Sequence, residues 1–112
     1  MFYTFNLKDN NPTVELAIAN LEIEIERGQK CGVIGIKFIH GYGSHGVGGN
    51  IRIAVKKYLE LAKKQKKIKD TISGLEWNIS NAKTFDLLKI CPESSSDCDL
   101  NSDNLGITIV IL

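Results

Sequence analysis

The chain has 112 residues, enough for one domain and too few for two independent hydrophobic cores. Hydrophobic residues make up 43% and charged residues 24% of the chain, which is typical of folded globular proteins and excludes general disorder. No apolar run approaches the roughly 20 residues that span a membrane, and the first residues lack the basic start and apolar stretch of a secretory signal. We therefore expect a single domain over residues 1–112, with no membrane partner.

Three cysteines, Cys31, Cys91 and Cys98, are spread along the chain without a Cys-x-x-Cys pair. An odd number of cysteines without such a pair is typical of proteins in a reducing compartment. The sequence therefore predicts free thiols and a cytoplasmic location.

The net charge of +1 conceals a strong segregation of charge. Residues 30–69 carry ten cationic side chains and one carboxylate, Glu60, whereas residues 1–29 and 70–112 are both acidic. A segregated basic segment is either a partner surface for an anion or a solvated helix face whose lysines pair with nearby acids. The charge count leaves both interpretations open.

In the first half of the chain, the predicted elements are a strand, a helix and a second strand. Residues 2–7 alternate bulky and polar side chains, which predicts a strand. Residues 10–13 predict a helix start with an Asn N-cap and a proline in the first turn, and Gly28 is the expected end of that helix. Residues 32–39 are nearly all apolar, as in a strand buried on both faces.

The second half begins with a loop over residues 40–49 that contains five glycines. Asn50 is the expected cap of an amphipathic helix, and residues 68–77 predict a strand interrupted at Gly74. Residues 82–90 predict a short helix, 92–104 a polar loop, and 107–112 an internal strand. The order β-α-β-α-β-(α)-β predicts an α/β two-layer sandwich, with a mixed four-stranded sheet and helices mainly on one face.

A buried strand followed by a glycine-rich loop and a helix is an arrangement that binds phosphate. The loop matches Gly-x-Gly-x-x-Gly at Gly41, Gly43 and Gly46, but only Asp70 could serve as the ribose-binding acid of a dinucleotide site. A P-loop is excluded because no Gly-Lys-Ser/Thr follows. Two hypotheses remain: contact with a nucleic-acid backbone, or binding of a small phosphorylated molecule or nucleotide.

The residues Ile39-His40-Gly41-Tyr42-Gly43, followed by a helix reading Ile-Arg-Ile-Ala-Val-Lys-Lys-Tyr-Leu over 51–59, resemble the Smr (small MutS-related) domain family. That family carries a His-Gly-x-Gly loop and a helix of the type Leu-Arg-x-Ala-Val-x-x-Tyr-Leu. Residues 12–17 and the final strand after Gly106 also resemble it. The resemblance implies an α/β domain that binds DNA or RNA, and that in some members nicks DNA or cleaves RNA.

The segregated positive charge and the glycine loop beside the basic helix predict a nucleic-acid contact, with these candidate residues: Gly41, Tyr42, Gly43, Arg52 and Lys56. The family's first strand usually ends in Leu-Asp-x-His-Gly, but here residues 5–11 read Phe-Asn-Leu-Lys-Asp-Asn-Asn. The motif's acid and histidine are therefore missing, which leaves His40 and Asp9 as the catalytic candidates. Cleavage needs a general base, a charge clamp, or water activated by a divalent metal such as magnesium or manganese. We expect weak or no endonuclease activity.

Two candidates, His40 and residues 97–103, each have an alternative interpretation. His40 is either a loop anchor that bonds a backbone carbonyl or a group that contacts phosphate. Residues 97–103 space oxygen atoms like part of a calcium loop, but the positions that require Gly and Glu hold Asn104 and Val110. An Asx-rich turn is the expected structure there.

Overall fold

The computed structural model describes residues 1–42 and 47–112. Strands and helices alternate along this part of the chain. They are β1 (Phe2–Asn6), α1 (Val14–Lys30), β2 (Gly35–Ile39), α2 (Val47–Lys64), β3 (Asp70–Ser73), α3 (Ala82–Ile90), a 3₁₀ helix (Pro92–Ser96) and β4 (Ile107–Ile111).

The strands form one sheet in the order β1-β2-β4-β3. β1 and β2 are parallel, whereas β4 is antiparallel to both β2 and β3. β1, β2 and β3 therefore point the same way, and their carboxyl ends lie at one edge of the sheet together with the start of β4. The predicted mixed four-stranded α/β sheet is confirmed, and the last strand is internal as expected.

Helices cover both faces of the sheet. The first core joins α1 and α2 to side chains such as Ile36, Phe38 and Val110. The second core lies on the opposite face, where Trp77 and Leu87 pack against the sheet. Successive residues of a strand point to opposite faces, which is why β2 contributes apolar side chains to one core and Lys37 to the other face. Two of the three helices therefore share a face, as predicted, and α3 occupies the other.

Helix boundaries differ from the prediction for local reasons. Thr13 caps α1, because its hydroxyl accepts a hydrogen bond from Leu16 N at 3.1 Å. Gly28 lies inside α1, where a Cβ would approach Leu112 Cδ1 to 2.7 Å, and it is Gly32 that adopts the left-handed φ of 69° just beyond the helix. α2 starts at Val47, so Asn50 is within the helix and is not its cap.

Gly74 marks the end of β3 for a steric reason. A Cβ at this position would lie 1.6 Å from the carbonyl oxygen of Asn104, so the two backbone segments touch there. Within the described residues, no helix has the length and apolar character needed to cross a bilayer. The three cysteines are free: Cys91 is buried, whereas Cys31 and Cys98 are exposed.

Candidate nucleic-acid interface

The carboxyl ends of β1 and β2 place Lys8 against Gly41. The strands stay paired to their ends, where Leu7 N donates to Ile39 O at 2.8 Å. Gly41 has a φ of 72°, and a Cβ there would lie only 2.8 Å from Cδ of Lys8. The backbone conformation therefore favours glycine at position 41, and a side chain there would displace Lys8.

His40 is buried at the same edge, and both of its ring nitrogens are occupied. Nδ1 lies 2.7 Å from the carbonyl oxygen of Gly41, and Nε2 lies 2.8 Å from the hydroxyl of Thr108. A carbonyl can only accept, so Nδ1 carries the proton and Nε2 accepts from Thr108. The backbone N–H groups of His40 and Gly41 both donate to Gly106 O, at 2.9 and 3.0 Å. The imidazole thus anchors the start of the glycine loop to β4.

The surroundings of His40 keep its ring neutral. Burial lowers the pKa of His40, and the charges of Arg52 and Lys8 lower it further. The hydrogen bond to the Gly41 carbonyl opposes this shift without reversing it. The neutral histidine therefore holds the start of the glycine loop in place, and the positive charge at this edge comes from Arg52 and Lys8.

Arg52 and Lys56 lie four residues apart on one flank of α2, and both side chains are exposed. Neither forms an ion pair with any residue in the described ranges, and the same is true of Lys8. Lys63, two turns further along that flank, is bound instead to Asp70 at 2.8 Å. The basic segment therefore contains cations that a ligand could bind and cations that the fold already uses.

A cleft of about 390 Å³ opens beside these two cations, between α2 and the β3 edge of the sheet. Its volume is within the range of about 300–1,000 Å³ found for small-ligand sites. The lining combines charged, hydroxyl-bearing and apolar side chains: Arg52, Lys56, Glu60, Glu76, His40, Thr71, Ser73, Thr108, Leu59, Leu75, Leu105 and Ile107.

The other predicted site residues are distributed unevenly around this edge. Tyr42 follows Gly41 and is 57% exposed, while Gly43 lies outside the described residues. Asp9 is exposed in the turn after β1, and within the described ranges it makes no hydrogen bond or ion pair with His40. The structure therefore brings His40, Gly41, Arg52 and Lys56 together but does not join Asp9 to the histidine.

The aspartates that resembled a calcium loop are bound to a lysine. Lys37 Nζ lies 2.7 Å from Asp97 Oδ1 and 2.6 Å from Asp99 Oδ2, and Trp77 Nε1 donates to Asp97 at 2.9 Å. Burial by itself lowers the pKa of Lys37, but the two carboxylates outweigh this effect and raise it. Among the described residues, no three His, Cys, Asp or Glu side chains are arranged to hold a metal ion.

Sequence reasoning missed the side chains that other strands bring to this edge. Lys8 comes from the turn after β1, Thr71 and Ser73 from β3, and Thr108 from β4. The alternation along β4 places Thr108 on the other face of the sheet from Ile107 and Ile109. Without the strand order, this pattern does not reveal that Thr108 contacts His40.

Compared with protein-family models, with curated proteins and with solved structures, the chain has no match. The resemblance to the Smr family therefore stays a prediction based on the motif residues.

Proposed function

We propose that the chain is an Smr-type domain that binds the phosphate backbone of nucleic acid at the edge formed by Lys8, Gly41, Arg52 and Lys56. The observation that carries the proposal is the group of three exposed cations, Lys8, Arg52 and Lys56, none of which has an ion-pair partner in the described part of the chain. Exposed cations without internal partners are free to neutralise phosphates and release the counterions that surround a polyanion.

The kinds of side chain exposed at this edge predict how nucleic acid would be bound. Arginine, lysine and exposed backbone groups supply most contacts to nucleic-acid phosphates. At this edge the contacts would come from the side chains of Lys8, Arg52 and Lys56, because Gly41 is buried and its N–H is already bonded to Gly106 O. These contacts fix the position of a strand without reading its sequence, so we expect binding with little sequence preference.

The environment of His40 favours binding without cleavage. A general base must lie within hydrogen-bond reach of the substrate proton that it removes, and His40 is only 2% exposed. Both ring nitrogens of His40 are occupied by Gly41 and Thr108, and Asp9 is not bonded to the ring. The domain is proposed to act in the cytoplasm, because a reducing compartment keeps exposed thiols such as Cys31 and Cys98 unpaired.

A pair of matched lysine variants tests the proposal. Lys56 and Lys64 are both exposed on α2 and lack ion pairs with described residues, but they are eight residues, or about 12 Å, apart along the helix. Fluorescence anisotropy with a labelled oligonucleotide should show weaker binding for Lys56→Ala and near wild-type binding for Lys64→Ala. Equal effects of the two substitutions would show that binding follows total charge and not this site.

The alternative function, binding of a small phosphorylated molecule or nucleotide, predicts a different competition result. A backbone site is displaced by any polyanion and loses affinity steeply between 50 and 200 mM salt. A small-molecule site would be saturated by a mononucleotide at micromolar concentration and would depend much less on salt. Saturation by a mononucleotide, without displacement by heparin, would favour the alternative.

A further inference from the structure

The cleft beside Arg52 and Lys56 extends between α2 and β3, away from Lys8 and Gly41. We infer that this cleft holds one unstacked nucleotide of a bound single strand, an inference that rests on the proposed binding of a nucleic-acid backbone. The shared residues connect the two sites, because Arg52 and Lys56 belong both to the proposed phosphate surface and to the cleft lining. A strand held by these cations therefore passes over the opening.

The distribution of charge in the cleft fixes the orientation of a nucleotide. Arg52 and Glu60 are both on α2 and are eight residues, or about 12 Å, apart along the helix axis. Glu76 adds a second carboxylate to the lining and is held by Lys83 Nζ at 3.2 Å. Hydrogen bonds and the charge of Lys83 outweigh burial and lower the pKa of Glu76, so its carboxylate is charged at neutral pH. A phosphate is therefore attracted to the Arg52 end and repelled from the Glu60 end.

The remaining lining suits a nucleobase. A base has apolar faces and a polar edge, and both kinds of surface are present in the cleft. The exposed side chains of Leu75 and Leu105 supply apolar contact, while the hydroxyls of Thr71 and Ser73 supply hydrogen-bonding groups. Thr71 Oγ1 makes no side-chain hydrogen bond with a described residue, so its hydroxyl is available to a ligand.

The volume of the cleft favours single-stranded over double-stranded nucleic acid. A space of about 390 Å³ is far too small for a duplex, and a paired base cannot leave the stack without the cost of unpairing. An unpaired base enters the cleft at a much smaller cost in free energy. The same cation surface should therefore bind a single strand more tightly than a duplex of equal length.

Two strand threonines provide a matched test. Thr71 lines the cleft, whereas Thr4 is exposed on β1, the other edge strand, and faces the opposite side of the sheet. Thr71→Phe fills the cleft without changing the charge, and Thr4→Phe makes the same chemical change elsewhere. We expect Thr71→Phe to weaken binding of a labelled 12-nucleotide single strand about tenfold, which is the order of one lost base contact. Thr4→Phe should bind it like the wild type, and neither should change binding of the matching duplex.

The outcome separates failure of the cleft from failure of the proposed function. Wild-type affinity of Thr71→Phe for the single strand, with Lys56→Ala still weakened, would overturn the cleft and leave the phosphate surface standing. No binding of either probe by the wild type at low salt would overturn both. Ser73→Leu, at an exposed position in the cleft lining, repeats the test if Thr71→Phe does not fold, and wild-type binding by that variant would equally overturn the inference.

Discussion

Lys37 and Lys56 belong to the same basic segment but have opposite surroundings. Lys37 is 3% exposed in the middle of β2 and is bound by two carboxylates. Lys56 is exposed on α2, at the other face of the sheet, and has no ion-pair partner among the described residues. The first lysine attaches the chain after α3 to the sheet, whereas the second is available to an anion.

The difference shows how a local charge count should be interpreted. Ten cations lie in residues 30–69, but Lys37 and Lys63 are already neutralised by aspartates from the acidic segment that follows. The fold thus pairs some cations of the basic segment internally and leaves others exposed without an ion-pair partner among the described residues. What separates them is the strand or helix that carries each side chain and the segment packed against it.

Removing the buried lysine should have the largest effect on stability. Lys37→Met leaves Asp97 and Asp99 without their cation in a largely buried site, so the free energy of unfolding should fall by about 3 kcal/mol. Lys57→Met changes the charge equally at an exposed position of α2 and should alter stability by less than about 0.5 kcal/mol. Urea unfolding measures both values. Similar losses in the two variants would contradict the structural role of Lys37.

Gly41 and Gly32 allow backbone strain to be separated from ligand contact. Both have a left-handed φ, near 70°, so alanine at either position should cost about 1–2 kcal/mol of stability. The new methyl group at 41 would also push against Lys8, whereas nothing lies within 4 Å at 32. We expect only Gly41→Ala to weaken oligonucleotide binding in an anisotropy titration. Equal weakening by Gly32→Ala would show that the effect comes from lost stability.

A smaller effect should appear in the pH dependence of stability. The pKa of His40 is lowered in the folded protein by burial and by neighbouring cations, so the unfolded chain takes up a proton first as the pH falls below about 6.5. The stability contributed by neutral His40 is therefore present above that pH and declines below it. The difference in free energy of unfolding between the wild type and His40→Asn should narrow from pH 7.5 to 5.5. A constant or widening difference in denaturant titrations would contradict a buried, neutral His40.

Much of the fold follows from local sequence patterns. The apolar run of β2, the stripe of α2 and the β-branched end of the chain identify their elements without knowledge of tertiary contacts. Helix ends were less accurate, because Gly28 is needed for close packing against Leu112 and does not terminate α1. The pairing of Lys37 with Asp97 and Asp99 joins residues about 60 positions apart, and no local pattern predicts such a contact.

Local sequence patterns likewise predict only part of the candidate site. His40, Gly41, Arg52 and Lys56 are close in sequence, so a strand–loop–helix pattern is enough to group them. Thr71 and Thr108 reach the site only because β4 lies between β2 and β3. That strand order depends on long-range pairing, which explains why the sequence predicts the phosphate surface but not the cleft.

The salt dependence of binding tests the central claim most directly. If Arg52 and Lys56 each neutralise one phosphate, the double variant Arg52→Ala/Lys56→Ala should bind a single strand with a log affinity–log salt slope less steep than that of the wild type by about 1.4. Lys64→Ala/Lys66→Ala removes two exposed cations near the other end of α2 and should keep the wild-type slope. An unchanged slope in the Arg52/Lys56 double variant would contradict the proposed interface.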